Sequence, residues 1–193
     1  MLVYVNDLII TRSNETSVVK LKTNLWQQFS IKDLEKVEYF FGIEMATSSK
    51  GGFLNQQKYI LDMLQDAEML HTKPVIIPLD SKMQLDSSSK PLLTFTTYQR
   101  IVGKLIYLTI TRPDITFDVS LLSQYMHAPT AQHLDMMKCI LRYLKGTIDR
   151  GIIMTRNGHT DITRYTDSDW ARNALDRRST TRYCMFIGGN LVS

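Results

Sequence analysis

The chain opens with Leu2-Val3-Tyr4-Val5-Asn6-Asp7-Leu8-Ile9-Ile10-Thr11, in which two apolar and mostly β-branched runs are separated by an Asn-Asp pair. β-Branched and aromatic residues favour strands, and Asn and Asp tolerate the positive φ of a tight hairpin turn. The pattern therefore predicts a β-hairpin with Asp7 at its tip. Two neighbouring carboxylates at such a tip could hold two divalent ions, about 3.5 to 4 Å apart, of the kind used in nucleotidyl transfer. Here the first position of the pair is Asn6, so only one carboxylate is present.

Motifs along the rest of the chain point to one family. Tyr4-Val5-Asn6-Asp7-Leu8-Ile9-Ile10 resembles the Tyr-Val-Asp-Asp-Leu-Ile-Ile signature of the reverse transcriptases of Ty/copia-type retrotransposons, which are parts of Pol polyproteins. The resemblance spans essentially the whole chain. Further matching stretches follow in order: Phe29 to Leu34, Tyr39 to Glu44, Tyr98 to Leu108, Thr111-Arg112-Pro113-Asp114-Ile115, His127 to Thr130, Leu141 to Thr147, and Tyr165 to Ala171.

The resemblance implies a fold, an activity and site residues. The expected fold class is α+β, with a partial reverse-transcriptase palm hairpin and small antiparallel sheet, a helical thumb or connection region, and the start of an RNase H-like sheet. The implied parent activity is RNA-directed DNA polymerisation with hydrolysis of the RNA strand of a hybrid, and the implied cofactor is Mg²⁺. Asp7 would be a catalytic metal ligand of the polymerase, and Asp167 resembles the first acidic residue of the RNase H site.

Asn6 is the difference from the family's signature that bears most on activity. The family carries Asp there, and Asn lacks the negative charge that holds and positions Mg²⁺. We also expect an incomplete site, because the family's fingers and a third metal-binding carboxylate lie upstream of this turn. Arg172 and Arg182 stand where the family usually has glycine, and Leu175 where it usually has an acid. An arginine at a glycine position of positive φ would cost about 1 to 3 kcal/mol.

Pattern and turn residues divide the chain into three regions, to which the resemblance assigns parts of the family. It implies that residues 1–80 are the C-terminal part of the palm with the following hairpin and helix, 81–150 the helical thumb or connection, and 151–193 incomplete RNase H-like strands. Pro74, Pro78, Pro91 and the serines between them indicate the main boundary. Helices are predicted over 16–29, 57–70, 97–109, 113–127 and 130–145, and strands over 37–46, 53–56, 151–154, 162–166 and 183–187. Gly51-Gly52 is predicted to be a turn.

The charge distribution suggests a nucleic-acid partner. The net charge is +4, and residues 81–150 carry 9 Lys and Arg against 5 Asp and Glu. On the predicted helix 130–145, Lys138, Arg142 and Lys145 lie off the apolar stripe, and basic side chains on a helix face can neutralise phosphates. We therefore expect Lys104, Lys138, Arg142 and Lys145 to contact an RNA/DNA template–primer hybrid, the alternative being a solvated helix face.

Several classes of protein and site are disfavoured. No apolar run is long enough for a membrane span, and the N-terminus lacks the pattern of a signal peptide, so we expect an intracellular protein, cytoplasmic or nuclear, without a membrane partner. The two cysteines and four histidines lack zinc spacing. Three functions stay open: a reverse transcriptase fragment that is inactive in this copy, a nucleic-acid-binding remnant, and a translated relic without function. The oligomeric state is not indicated.

Overall fold

A computed structural model describes residues 2–4, 7–11, 14–34, 36–79, 89–168, 179 and 181–193. The chain divides into two compact units, Met1–Glu38 and Tyr39–Ser193. Strands pair antiparallel in both units, and the helices lie between them in sequence, so the α+β class is confirmed. Within the described ranges, no helix combines the length and apolar composition that a membrane-spanning segment needs.

The first unit contains the predicted hairpin and helix. Strands β1 (Leu2–Tyr4) and β2 (Asp7–Ile9) are antiparallel, and Tyr4 pairs with Asp7 next to the tip. Helix α1 follows (Glu15–Gln28), and the Asn14 side chain caps it by accepting a hydrogen bond from the Ser17 N–H. No residue of α1 is fully buried. Trp26 of α1 and Phe29, just after it, are 49% and 59% exposed, so their side chains do not form a buried core in the described structure.

The second unit begins with a four-stranded antiparallel sheet. Its order is β3 (Tyr39–Phe40), β4 (Ile43–Ser48), β5 (Gly51–Asn55) and β6 (Ile152–Thr155). The single strand predicted over 37–46 was wrong, because Phe41 and Gly42 both adopt positive φ and turn the chain between β3 and β4. The hydroxyl of Tyr107 donates to the Phe41 carbonyl oxygen at this turn.

The prediction of a turn at Gly51-Gly52 was also wrong, because both glycines lie in β5 and the turn is formed by residues 49 and 50. Gly51 faces the β6 backbone so closely that an added Cβ would lie 2.0 Å from the Met154 carbonyl oxygen. The close approach of β5 and β6 therefore requires glycine at position 51, and the turn does not.

Helices α2 (Gln57–Asp66), α3 (Thr96–Leu108), α4 (Thr116–Ser123) and α5 (Ala131–Gly146) share one hydrophobic core. A 3₁₀ turn, Pro113–Ile115, precedes α4, so the helix predicted over 113–127 is shorter and starts differently. The core residues include Ile60 and Leu64 of α2, Ile101 and Leu105 of α3, Val119 and Leu122 of α4, and Ile140 and Leu144 of α5. The core thus continues across the predicted boundary at residues 80 and 81, and the three-region division stays a prediction. Residues 80–88 lie outside the described ranges.

A three-stranded antiparallel sheet completes the second unit. It consists of β7 (Ile162–Ser168), β8 (Thr181–Ile187) and β9 (Asn190–Leu191). The side-chain amide of Asn190 bonds to both backbone groups of Thr155, at 2.6 Å to the N–H and 3.0 Å to the carbonyl oxygen. Asn190 thereby ties the edge strand β6 to β9.

Candidate nucleic-acid interface

Asp7 lies where the sequence predicted it, at the first position of β2 beside the hairpin tip. Asn6, which takes the place of the expected acid, is outside the described ranges. Asp7 and Asp167 belong to different compact units.

Asp167 lies near the end of β7, is exposed, and has Arg182 of β8 as its cross-strand partner. Cross-strand partners project from the same face of a sheet, about 5 Å apart. No other acidic residue occurs within β7, β8 or β9. Arg182 also corrects an expectation, because it lies in the extended strand β8 and is not at a positive φ. Its guanidinium carbon lies 4.9 Å from the ring centroid of Phe117, a cation–π contact that joins β8 to α4.

These residues do not fit a pair of Mg²⁺ ions. A two-metal site needs several oxygen ligands with negative charge, whereas Asp7 follows an amide residue and the cross-strand partner of Asp167 is an arginine. In the ranges that the structure describes, no three His, Cys, Asp or Glu side chains come close enough together to hold a metal ion.

The four predicted phosphate-binding residues all have partners in the protein. Lys104 and Arg100 of α3 both form ion pairs with Asp66 of α2. Lys138 lies 3.8 Å from Asp135. Arg142 Nε donates to the Lys73 carbonyl oxygen and Lys145 Nζ to the Thr72 carbonyl oxygen, each at 2.7 Å.

Arg142 and Lys145 thus hold the loop after α2 against α5. Carbonyl oxygens do not neutralise a cation, so both side chains keep their positive charge at the surface. Their assignment to phosphate contact stays a prediction.

The structure brings together two further basic residues, Lys50 and Arg156, which the sequence did not predict to bind phosphate. Lys50 lies at the turn between β4 and β5, and the Arg156 N–H, just after β6, donates to the Lys50 carbonyl oxygen at 3.0 Å. Both residues are exposed, and neither side chain forms an ion pair with the described residues. We call Lys50 and Arg156 the hairpin-tip cations. Because they are 106 positions apart in sequence, only the pairing of β5 with β6 brings them together.

The Thr111-Arg112-Pro113-Asp114 motif forms the most densely bonded polar group in the described structure. Arg112 is 1% exposed, and it binds Asp114 through Nε and Nη2 at 2.9 and 2.7 Å. The same guanidinium donates to the carbonyl and hydroxyl oxygens of Thr147, just after α5. The Tyr143 hydroxyl donates to Asp114 Oδ2 at 2.8 Å and accepts from Arg150 Nη1 at 3.2 Å. The motif therefore joins the turn before α4 to the end of α5.

Two carboxyl groups near this motif have opposite pKa shifts. Burial alone would raise the pKa of Asp114, but hydrogen bonds from Arg112 and Tyr143 outweigh it and hold that pKa below its ordinary value. Asp118, one helical turn later, has no such donors among the described residues, and burial together with the charge of Asp114 raises its pKa to about 6. The contrast follows from which carboxylate is hydrogen-bonded in its charged form.

Comparison with known proteins supports the sequence resemblance. Residues 1–81 match the family model described as reverse transcriptase (RNA-dependent DNA polymerase). The whole chain is 42% identical to an uncharacterized mitochondrial protein of Arabidopsis thaliana and covers 80% of it. It is 43% identical over its whole length to the retrovirus-related Pol polyprotein from transposon RE1 of the same plant, of which it covers 13%. A putative transposon Ty5-1 protein of Saccharomyces cerevisiae is 35% identical over 99% of the chain and 63% of that protein.

No solved structure matches the chain. The order of the motifs, the match to the reverse transcriptase model and these relatives agree with one another. The chain therefore belongs to the reverse transcriptase family found in the Pol polyproteins of Ty/copia-type retrotransposons.

Proposed function

We propose that this chain binds an RNA/DNA template–primer hybrid without catalysing nucleotide addition or RNA hydrolysis. The observation that carries the binding proposal is the pair of hairpin-tip cations, Lys50 and Arg156, which have no ion-pair partner among the described residues. A cationic side chain without a partner in the protein can bind a phosphate of the nucleic acid and so release the counterion that was condensed there. In reverse transcriptases a hairpin after the catalytic turn holds the primer end, and β4 and β5 form such a hairpin here.

The proposal of inactivity rests on the two acid positions. One unit of negative charge is lost at Asn6, beside Asp7. Its loss next to two dications would remove several kcal/mol of transition-state stabilisation, and about 1.4 kcal/mol corresponds to tenfold in rate. At the second position, Arg182 places a positive charge opposite Asp167, where a metal ion would need negative ligands. We assign β7 and β8 to the start of an RNase H-like sheet as part of the same proposal.

Lys104, Lys138, Arg142 and Lys145 have a secondary role in this account. Their ion pairs and carbonyl contacts fix α2, α3 and α5 relative to one another, while the charges of α5 add positive potential. We expect their replacement to weaken hybrid binding less than replacement of the hairpin-tip cations.

Hybrid binding is tested by fluorescence anisotropy of a labelled RNA/DNA primer–template at salt concentrations from about 50 to about 200 mM. The wild-type affinity should fall steeply with salt. The double variant Lys50→Glu with Arg156→Glu should reduce the slope of log affinity against log salt by about 2, since each phosphate contact contributes about 0.9.

Lys90→Glu is the matched control, because Lys90 is an exposed lysine outside the hairpin. It should change the slope of log affinity against log salt by less than about 0.5 relative to wild type. An affinity that does not respond to salt, or a control variant as weak as the double variant, would overturn the proposed interface.

A further inference from the structure

An open cavity of about 390 Å³ lies between the sheet and the Thr111–Asp114 turn. Ligand pockets of proteins are commonly about 300 to 1,000 Å³, so this cavity is at the scale of one small flat molecule. Its lining combines apolar and charged side chains: Phe53, Thr111, Arg112, Pro113, Asp114, Arg150, Gly151 and Ile153.

The apolar side of the cavity is formed mainly by β5 and β6. Phe53 and Ile153 are cross-strand partners, so both side chains project from one face of the sheet. Ile153 is 68% exposed on the edge strand β6. Gly151 adds no side chain, and an added Cβ there would lie 2.1 Å from the Leu54 carbonyl oxygen. The result is a flat apolar surface that remains open to a ligand.

The polar side of the cavity is formed by Asp114 and Arg150. Asp114 and Arg150 both contact the Tyr143 hydroxyl, so the carboxylate and the guanidinium lie side by side. Arg112, Tyr143 and its own backbone N–H occupy the Asp114 carboxylate, so the polar group that this side offers to a ligand is the Arg150 guanidinium. Arg150 is exposed, and Tyr143 Oη is the only side-chain partner of its guanidinium among the described residues, so most of its N–H groups are available.

This arrangement selects among flat ligands by hydrogen-bonding pattern. Guanine presents two adjacent acceptors, N7 and O6, on one edge. Bidentate contact of an arginine with N7 and O6 is the commonest specific contact to a base, and the other bases lack that acceptor pair. Unpaired bases are also the ones that stack on aromatic and apolar side chains.

We propose that the cavity binds one unpaired guanine base, with Arg150 donating to O6 and N7. The base lies on the surface formed by Phe53 and Ile153. The inference deepens the proposed function, on which it rests, by giving the nucleic-acid partner a preferred base. It concerns single nucleotides, so it is measured separately from binding of the hybrid.

The test is titration of isotope-labelled protein with GMP, AMP, CMP or UMP, followed by NMR chemical shifts. GMP should bind about tenfold more tightly than the other three, and it should shift the signals of Phe53 and Ile153. The analogue 7-deazaguanosine monophosphate, which lacks the N7 acceptor, should bind about as weakly as AMP.

Arg150→Met is the decisive variant, because Arg150 is exposed and its loss removes one hydrogen bond to Tyr143. It should lower GMP affinity about tenfold and leave AMP affinity unchanged. Arg164→Met is the matched control, because Arg164 is an exposed arginine of β7, and it should not alter the preference. Equal affinities for the four nucleotides, no binding of any, or an unchanged preference in Arg150→Met would overturn the proposal.

The hybrid-binding assay separates this inference from the proposed function. If Arg150→Met loses the GMP preference while the hybrid still binds, both proposals stand. If wild-type protein binds GMP selectively but does not bind the hybrid, the base site stands and the proposed function fails. If the hybrid binds and all four nucleotides bind alike, only the base site fails.

Discussion

Arg112 binds Asp114, two residues further along the chain, through two nitrogens at once, with 2.9 Å between Nε and Oδ1 and 2.7 Å between Nη2 and Oδ2. The guanidinium is 1% exposed, and its remaining donors reach Thr147 after α5. A buried charge is tolerated only when it is paired and hydrogen-bonded, so the two residues are mutually dependent. The pair couples the entry of α4 to the exit of α5.

Arg112→Lys is expected to destabilise the protein by about 3 kcal/mol, because an ammonium group cannot reproduce the planar, bidentate geometry. The measurement is urea unfolding followed by circular dichroism. Arg100→Lys is the control, since Arg100 forms an exposed ion pair with Asp66 and should change stability by less than about 0.5 kcal/mol. Equal effects of the two changes would show that the buried pair has no special role.

Asp118→Asn should stabilise the protein in a pH-dependent way. The carboxyl has an ordinary pKa of 3.8, and its pKa in the folded protein is about 6. Between about pH 4 and about pH 6 the folded state holds more protons than the unfolded state, so wild-type stability falls as pH rises and then levels off.

The Asp118→Asn variant lacks this loss and should gain about 3 kcal/mol over wild type above about pH 6. Below about pH 4 the two proteins should differ little. Thermal unfolding across this pH range checks the prediction, and a constant difference at all pH values would contradict it.

Gly151→Ala and Gly103→Ala form a matched pair with opposite expected signs. At Gly151 an added Cβ would lie 2.1 Å from a backbone oxygen of β5, so Ala should separate β5 from β6 and cost about 2 kcal/mol or more. At Gly103, inside α3, no atom lies within 4 Å of the added Cβ, and Ala should stabilise by about 0.5 to 1 kcal/mol. Denaturant midpoints of the two variants measure both effects, and destabilisation by Gly103→Ala would contradict the packing described for α3.

Asn6→Asp should restore negative charge at the hairpin and tighten binding of divalent ions, because ligand charge sets affinity for hard cations. Paramagnetic line broadening by Mn²⁺ should increase several-fold at the backbone signals of residues 4 to 8 relative to wild type. Asn14→Asp supplies the same charge at the α1 cap and should leave those signals as in wild type. Equal broadening of the wild-type and Asn6→Asp proteins would show that the missing acid does not limit metal binding.

Local patterns predicted the first hairpin and three of the helices. Helical periodicity predicted α1, α3 and α5 to within one or two residues. The strand over 37–46 was wrong because Phe41 takes a positive φ that its side chain does not favour, and a tertiary hydrogen bond from Tyr107 supports that turn. A hydrogen bond between residues that are far apart in the chain cannot be predicted from the local sequence pattern.

The same limit applies to the candidate site. Asp7 and Asp167 were found from motifs, but the cross-strand pairing of Asp167 with Arg182 depends on strand register. The hairpin-tip cations are joined by the pairing of β5 with β6, and the burial of Arg112 depends on Thr147 and Tyr143. The Thr-Arg-Pro-Asp motif was visible in the sequence, yet a charged residue beside a proline usually predicts an exposed turn.

The most direct test of the proposal that this chain binds nucleic acid without catalysis is primer extension, measured on a hybrid that has already been shown to bind. With saturating Mg²⁺ and all four deoxynucleotides, the account predicts that the labelled primer stays bound and is not lengthened. Lengthening of the primer by wild-type protein, abolished by Asp7→Ala, would contradict it.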